Sequence, residues 1–234
     1  MVLEKYNRWV NHPNIDPILK EELLGMDDKA KNDAFYTNIE FGTAGMRGLL
    51  GAGTNRINVH TIRKANVGFA NYICGLGEEA KKKGIAIGYD NRHMSYEFAM
   101  DSAKVLSAYG ITVYVFESLR PTPELSFAVR HLGCAGGIMI TASHNPFYDN
   151  GIKLFNEHGE KMDEDTIALI ENDLDQVTAD GSPYQPPLYA TGENIGKTVD
   201  YVAGRNRYVG YLISLGIYSF RGIKVGLDCA NGSS

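Results

Sequence analysis

Three cysteines in 234 residues are too few and too scattered for a disulfide framework. Cys74, Cys134 and Cys229 form no C-x-x-C pair, so the usual zinc-ligand spacing is missing as well. No apolar run approaches the ~18 residues that a membrane-spanning helix needs. The opening MVLEKYNRWVNHPNIDP lacks the apolar centre of a secretory signal. A basic excess is missing too: 23 Lys and Arg face 28 Asp and Glu, a net charge of −5, which argues against a dedicated nucleic-acid binder. G-x-G-x-x-G, G-x-x-x-x-G-K-[ST] and G-x-S-x-G are all absent, and no repeat or low-complexity tract is visible. These absences leave an ordinary globular chain with 44% hydrophobic and 22% charged residues. They point to the cytoplasm, with neither a nucleic-acid nor a membrane partner.

The chain begins with charged helical segments, Glu4 to Val10 and Pro17 to Met26. A Gly-rich stretch follows, Phe41-Gly42-Thr43-Ala44-Gly45-Met46-Arg47-Gly48 and on to Gly53, then a long helix from about Val59 to Ala80. From Ile85 the pattern becomes regular. Ile85 to Asp90 reads as a short apolar strand, and Ser95 reads as the N-cap of a helix ended by Gly110. Thr112 to Phe116 reads as a β-branched and aromatic strand. Thr122-Pro123 opens a further helix closed by Gly133, and Ala135 to Thr141 forms a third strand. Alternation of this kind predicts right-handed βαβ units and a mostly parallel sheet in an α/β/α sandwich. Asn150-Gly151 is a hairpin signal, so a fourth strand over Ile152 to Phe155 is expected to run antiparallel to the third.

After a helix from Asp163 to about Val177, the Pro-rich loop Gly181 to Pro187 is the best boundary region. Val199 to Leu215 reads as a helix and Ile223 to Asp228 as a buried strand, the opening of a second α/β unit. The expected organisation is a helical extension over 1–40, a first domain over 41–197 and the start of a second over 198–234. On this reading the chain is part of a longer protein, and the rest of that protein is a partner of this domain.

Open α/β sheets bind ligands beyond the carboxyl ends of their strands. Three polar loops meet that description: Asp90 to His93, Glu117 to Arg120 and Ser143 to Pro146. Ser143 sits where the most apolar strand ends, the placement of a presented nucleophile. A Ser143–His144 relay is disfavoured because neighbours on an extended chain point apart. Phosphoryl chemistry suits the set better, since a serine ester can hold a phosphoryl group and release it to a placed alcohol. Such transfer depends on positioning and on positive charge at the equatorial oxygens. Lys153 and Arg47 can supply that charge, while Asn145 and glycine N–H groups can bind oxygens. Neighbouring cations would also lower the Lys153 pKa toward that of a usable base. His93 and His131 read as structural.

The run TASHNPFYDNGIK at 141–153 resembles the phosphoserine signature of the α-D-phosphohexomutase superfamily. FGTAGMRG at 41–48 is similar to that family's FGTxGxRG, GYDNR at 88–92 resembles its GYDxR, and IKVGLDCANGSS resembles the opening of its second domain. The alanine in FGTAG leans toward the phosphoglucomutase and phosphopentomutase-like branch. The resemblance implies a phosphosugar mutase that interconverts hexose 1-phosphate and hexose 6-phosphate, with glucose the first choice of sugar. It implies Ser143 as phosphorylated nucleophile, Lys153 as general acid/base, and Arg47 as a neutraliser of the phosphoryl group. Thr43, His144 and Asn145 would contact phosphate or substrate. Magnesium would take one phosphoryl oxygen of Ser143, with its other ligands beyond residue 234, and glucose 1,6-bisphosphate would serve as activator and intermediate. The family's Asp-Gly-Asp-x-Asp-Arg metal loop is absent from these residues, so the chain alone is expected to be inactive. Phosphomannomutase or phosphopentomutase specificity, a non-catalytic sugar-phosphate-binding module and a serine hydrolase are the alternatives.

Overall fold

The computed structural model describes residues 1–42, 45–177, 180–199, 201–219 and 221–233. Three helices open the chain, α1 (Val2–Val10), α2 (Pro17–Leu24) and α3 (Asp28–Phe35). Then come β1 (Met46–Leu49), α4 (Val59–Gly75), α5 (Glu78–Lys83), β2 (Ile85–Tyr89), α6 (Ser95–Ala108), β3 (Val113–Phe116), α7 (Thr122–Leu132) and β4 (Gly136–Ile140). β5 (Asp149–Phe155), α8 (Glu164–Val177), β6 (Lys197–Val199) and α9 (Tyr201–Ser214) complete the order.

The sheet has six strands in the order β1-β5-β4-β2-β3-β6. β5 pairs antiparallel with both β1 and β4, and every other pairing is parallel, so β5 alone is reversed. The path from β2 to β3 moves one way across the sheet and the path from β3 to β4 moves back. Right-handed crossovers therefore put α6 and α7 on opposite faces. On one face, α4 and α6 bury Ile62, Phe69, Phe98 and Leu106 against Ile85, Ile87, Ile138 and Ile140. On the other, α7 buries Leu125 and Val129 against Ala86, Met139 and Phe155. The expected three-layer α/β/α sandwich with a mostly parallel mixed sheet is what forms.

The opening helices pack back onto this body. Trp9 is 1% exposed and meets Phe35, Leu23 and Ala52. Its indole N–H donates to the Gly181 carbonyl at 2.9 Å, and its ring stands edge-on to His60 at 5.3 Å. The Pro-rich loop is thus tied into the same structure: Tyr184 is buried with Val67 and Val105, and its carbonyl bonds His60 Nδ1 at 2.9 Å.

Several local expectations are corrected. The long helix breaks after Gly75, because Gly77 turns with φ 98° before α5 begins. The N-cap of α6 is Met94, with φ 66°, and Ser95 donates instead to Asp90 Oδ1 at 2.8 Å. Asn150-Gly151 lies within β5, not in a turn: β5 begins at Asp149, and the β4–β5 connection is the stretch 141–148. Asn150 is fully buried and its amide donates to His93 O and Ser95 Oγ. Residues 223–228 are irregular and exposed, because an isolated strand has no partner for its backbone groups.

Candidate active site

The register of the sheet edge assembles the site. Met46 pairs with Ile152 and Arg47 with Gly151. Met46, Ile152 and Leu154 point into the α4–α6 core. By the period of two along a strand, Arg47 and Lys153 then share the opposite face, diagonal neighbours across the β1–β5 pair. Gly45 and Gly151 make the close approach possible. A side-chain carbon at Gly151 would stand 2.3 Å from Met46 O and 2.8 Å from Arg47 Cγ.

Ser143 is exposed on the loop after β4. Its φ is 60°, a left-handed conformation that L-residues other than Asn and Asp rarely adopt. The Ser143 N–H donates to Thr141 Oγ1 at 2.9 Å. The same twist brings Oγ to 3.4 Å from His144 Nδ1, so the two side chains do not diverge as an extended chain would have them. That contact is long, and among the described residues no carboxylate is hydrogen-bonded to His144, so a serine-hydrolase triad is not formed.

The cations differ in how they are held. Arg47 Nη1 reaches Asn145 Oδ1 only at 3.5 Å, and Asn145 in turn donates to Asp149 Oδ2 at 3.0 Å. Lys153 is half-buried and has no hydrogen-bond or ion-pair partner among the described residues. Burial, reinforced by the Arg47 and Lys161 charges, lowers its pKa from the usual lysine range, while Asp90 opposes the shift. The expected depression from neighbouring cations is present, with desolvation as the larger cause. Arg47 thus lies beside Lys153 on the β1–β5 edge and reaches the loop of Ser143 and His144 through Asn145. Thr43 lies outside the described residues.

Sequence reasoning placed Arg92 in a candidate ligand loop but gave it no role. Its guanidinium donates to the carbonyl oxygens of Ser143 and Asn145 through Nη2, and of Pro146 and Asp149 through Nη1. Asp90 anchors it at 3.3 Å and also accepts from Thr141 Oγ1 at 2.5 Å. GYDNR pointed at the position, but no residue-type signal marks a side chain that binds backbone carbonyls. The Glu117–Arg120 loop does not join the set. It follows β3, which is not adjacent to β4, and Arg120 pairs with Glu124 at 3.8 Å.

No group of three or more His, Cys, Asp or Glu side chains is placed to hold a metal ion among the described residues. Around Ser143 the charges are mainly cationic, so these side chains alone do not make a magnesium site. No helix of the described residues is long and apolar enough to cross a membrane. A cavity of about 580 Å³ between α2 and the α4–α6 pair is lined by Ile18, Leu50, Val59 and Phe98 and does not include Ser143, Arg47 or Lys153.

Residues 38–180 match the family described as phosphoglucomutase/phosphomannomutase, alpha/beta/alpha domain I. A phosphoglucosamine mutase of Lachnospira eligens is 49% identical over 195 residues, which is 83% of this chain and 41% of that protein. A phosphoglucomutase of Staphylococcus aureus is 37% identical over 212 residues, 87% of this chain and 37% of that protein. A crystal structure from Thermus thermophilus, named as a phosphomannomutase, superposes with a TM-score of 0.61 at 28% identity, covering 76% of this chain and 36% of that one. The chain thus spans about two fifths of the length of the curated relatives it matches.

Proposed function

The chain belongs to the phosphoglucomutase/phosphomannomutase family, and from that premise we propose that it carries the phosphoserine half of a hexose-phosphate mutase site. What carries the reading is an exposed, left-handed Ser143 on a loop that Arg47 reaches through Asn145, with Lys153, which has no partner among the described residues, beside Arg47. In the proposed cycle the Ser143 phosphoryl group passes to the free hydroxyl of a hexose monophosphate. The resulting bisphosphate reorients and returns its other phosphoryl group to Ser143.

The roles follow from the side-chain chemistry. Arg47, whose one side-chain hydrogen bond among the described residues is the 3.5 Å contact with Asn145, can fork onto phosphoryl oxygens. Lys153, whose charged form burial disfavours, is the group that exchanges a proton with the sugar hydroxyl. His144 and Asn145 border the same oxygens, and Thr43 is proposed to join them. Phosphorylated Ser143 would offer one oxygen to a magnesium ion, which would supply neutralisation of phosphoryl charge, and the remaining ligands are proposed to lie outside the described residues. The activity, the proposed cytoplasmic location, the domain division at 40 and 197 and the partnership with further domains all belong to this proposal.

Glucose is the proposed sugar, with glucose 1,6-bisphosphate as activator. A second reading, glucosamine phosphate, is favoured by the 49% identity to a protein named phosphoglucosamine mutase. The test compares the native full chain with the 234-residue chain, both purified free of host mutase, on glucose 1-phosphate and glucosamine 1-phosphate. Sustained turnover is expected of the full chain only. Sustained turnover by the 234 residues alone would contradict the claim that they hold half a site.

A further inference from the structure

An arginine beside a phosphoryl-carrying serine is ordinarily read as a phosphate ligand. The geometry at Arg92 points elsewhere. We propose that Arg92 is a positioning residue: it holds the Ser143 loop in its left-handed form by its carbonyl oxygens and leaves the phosphoryl group to Arg47 and Lys153. This inference rests on the phosphoserine reading of Ser143.

A guanidinium has five N–H donors. Nε faces Asp90 Oδ2 at 3.3 Å. Nη1 donates to Pro146 O at 2.7 Å and Asp149 O at 3.0 Å, and Nη2 to Ser143 O at 2.9 Å and Asn145 O at 2.7 Å. The four Nη donors are all taken by carbonyl oxygens and Nε faces a carboxylate, so the fork is turned to the protein and away from a phosphate oxygen. The side chain is only 11% exposed, which holds the fork in place.

Both backbone groups of Ser143 trace to one carboxylate. Its carbonyl is held by Arg92, which pairs with Asp90, and its N–H is held by Thr141 Oγ1, which donates to Asp90 Oδ2. Asp90 also accepts from Arg92 N and Ser95 Oγ, so it is itself fixed. β2 and β4 are adjacent strands, and this is what lets the loop after one brace the loop after the other. A φ of 60° is unfavourable for serine, and the two tethers oppose its relaxation.

The step that depends on this placement is transfer from a sugar bisphosphate to the enzyme. Ser143 Oγ attacks phosphorus, the Oγ–P bond forms and the sugar O–P bond breaks. The Oγ proton ends on the departing sugar oxygen. A loop displaced by about 1 Å slows such a step on the order of 10²-fold without altering how the sugar phosphate is bound.

The experiment uses the native full chain as wild type, Arg92→Lys and Arg92→Met, with glucose 1,6-bisphosphate as the probe. Single-turnover phosphorylation of Ser143, kcat and KM for glucose 1-phosphate, and thermal unfolding are measured. Both folded variants are expected to lose on the order of 10² in transfer rate and kcat, with KM within about twofold. Lysine, with three donors on a point charge, cannot span four carbonyls and is not expected to rescue. Full rescue by lysine, or a raised KM at unchanged kcat, would overturn the proposal by making Arg92 a charge or a phosphate ligand. If Arg92→Met does not fold, Thr141→Val cuts the other tether and should give the same kcat loss; an unchanged rate there overturns it too. A wild-type protein that takes no phosphate on Ser143 removes the phosphoserine reading itself, whereas a phosphorylated wild type with unimpaired variants removes only the role of Arg92.

Discussion

Gly45 lies directly against the stem of Lys153. A side-chain carbon at Gly45 would stand 2.8 Å from Lys153 Cγ and 2.6 Å from the Ile152 carbonyl oxygen, and Gly45 has φ 105°. The glycine of the FGTAGMRG segment therefore sets where the proposed acid/base sits.

Gly45→Ala is expected to displace the β1–β5 edge and with it Lys153. With reacting groups misplaced by about 1 Å, mutase activity of the full chain should fall on the order of 10²-fold. Circular dichroism and steady-state rates check this together, and native activity in a folded variant would contradict the contact.

Lys153→Met removes a cation that burial and Arg47 disfavour. Because the folded pKa lies below the unfolded one, the charged lysine costs stability at neutral pH. That cost disappears as pH rises through the folded pKa toward the ordinary lysine value of 10.5. The variant should therefore melt higher than wild type near neutrality, with the difference shrinking in alkaline buffer. Its activity should drop about 10²- to 10⁴-fold. Melting curves across pH test the first part.

His60 is expected to make the chain acid-sensitive. Burial lowers its pKa below the ordinary 6.5, with Arg63 and His12 adding to the shift and the Tyr184 carbonyl and Asp101 opposing it. The neutral ring is the folded form, so stability is full above about pH 6.5 and declines as pH falls toward the folded pKa. Denaturant unfolding between pH 7 and 5 should show a slope that His60→Gln reduces.

Trp9→Ala should cost about 3–5 kcal/mol, the usual range for truncating a buried aromatic. Trp9 is 1% exposed and joins α1 to Gly181 and His60. Urea unfolding checks the value. A cost under about 1 kcal/mol would mean that α1 is not part of the cooperative unit.

The parts of this molecule that local pattern encodes were readable from sequence. Ile85–Tyr89 and Gly136–Ile140 are bounded apolar runs, and α6 and α7 repeat apolar positions at helical spacing. β1 was not readable, since Met46–Leu49 is short and its partner lies about a hundred residues away in β5. Asn150-Gly151 misled because its hairpin signal is local. The buried bonds of Asn150 to His93 O and Ser95 Oγ decide its place instead. At the site, Ser143 stood out by ending an apolar strand, Lys153 and Arg47 were candidates for the charge that phosphoryl chemistry needs, and the family resemblance then gave all three their roles. Arg92 stayed hidden because its partners are carbonyl oxygens, which carry no side-chain identity.

The central claim is that Ser143 carries the phosphoryl group. The direct measurement incubates the native full chain with glucose 1,6-bisphosphate and magnesium, then locates phosphate by mass spectrometry of its peptides. One phosphoryl group per chain is expected, on the peptide containing Ser143, removed when glucose 1-phosphate is added. Phosphate on a different residue, no phosphate at all, or labelling of Ser143 by a serine-hydrolase acylating probe would contradict it.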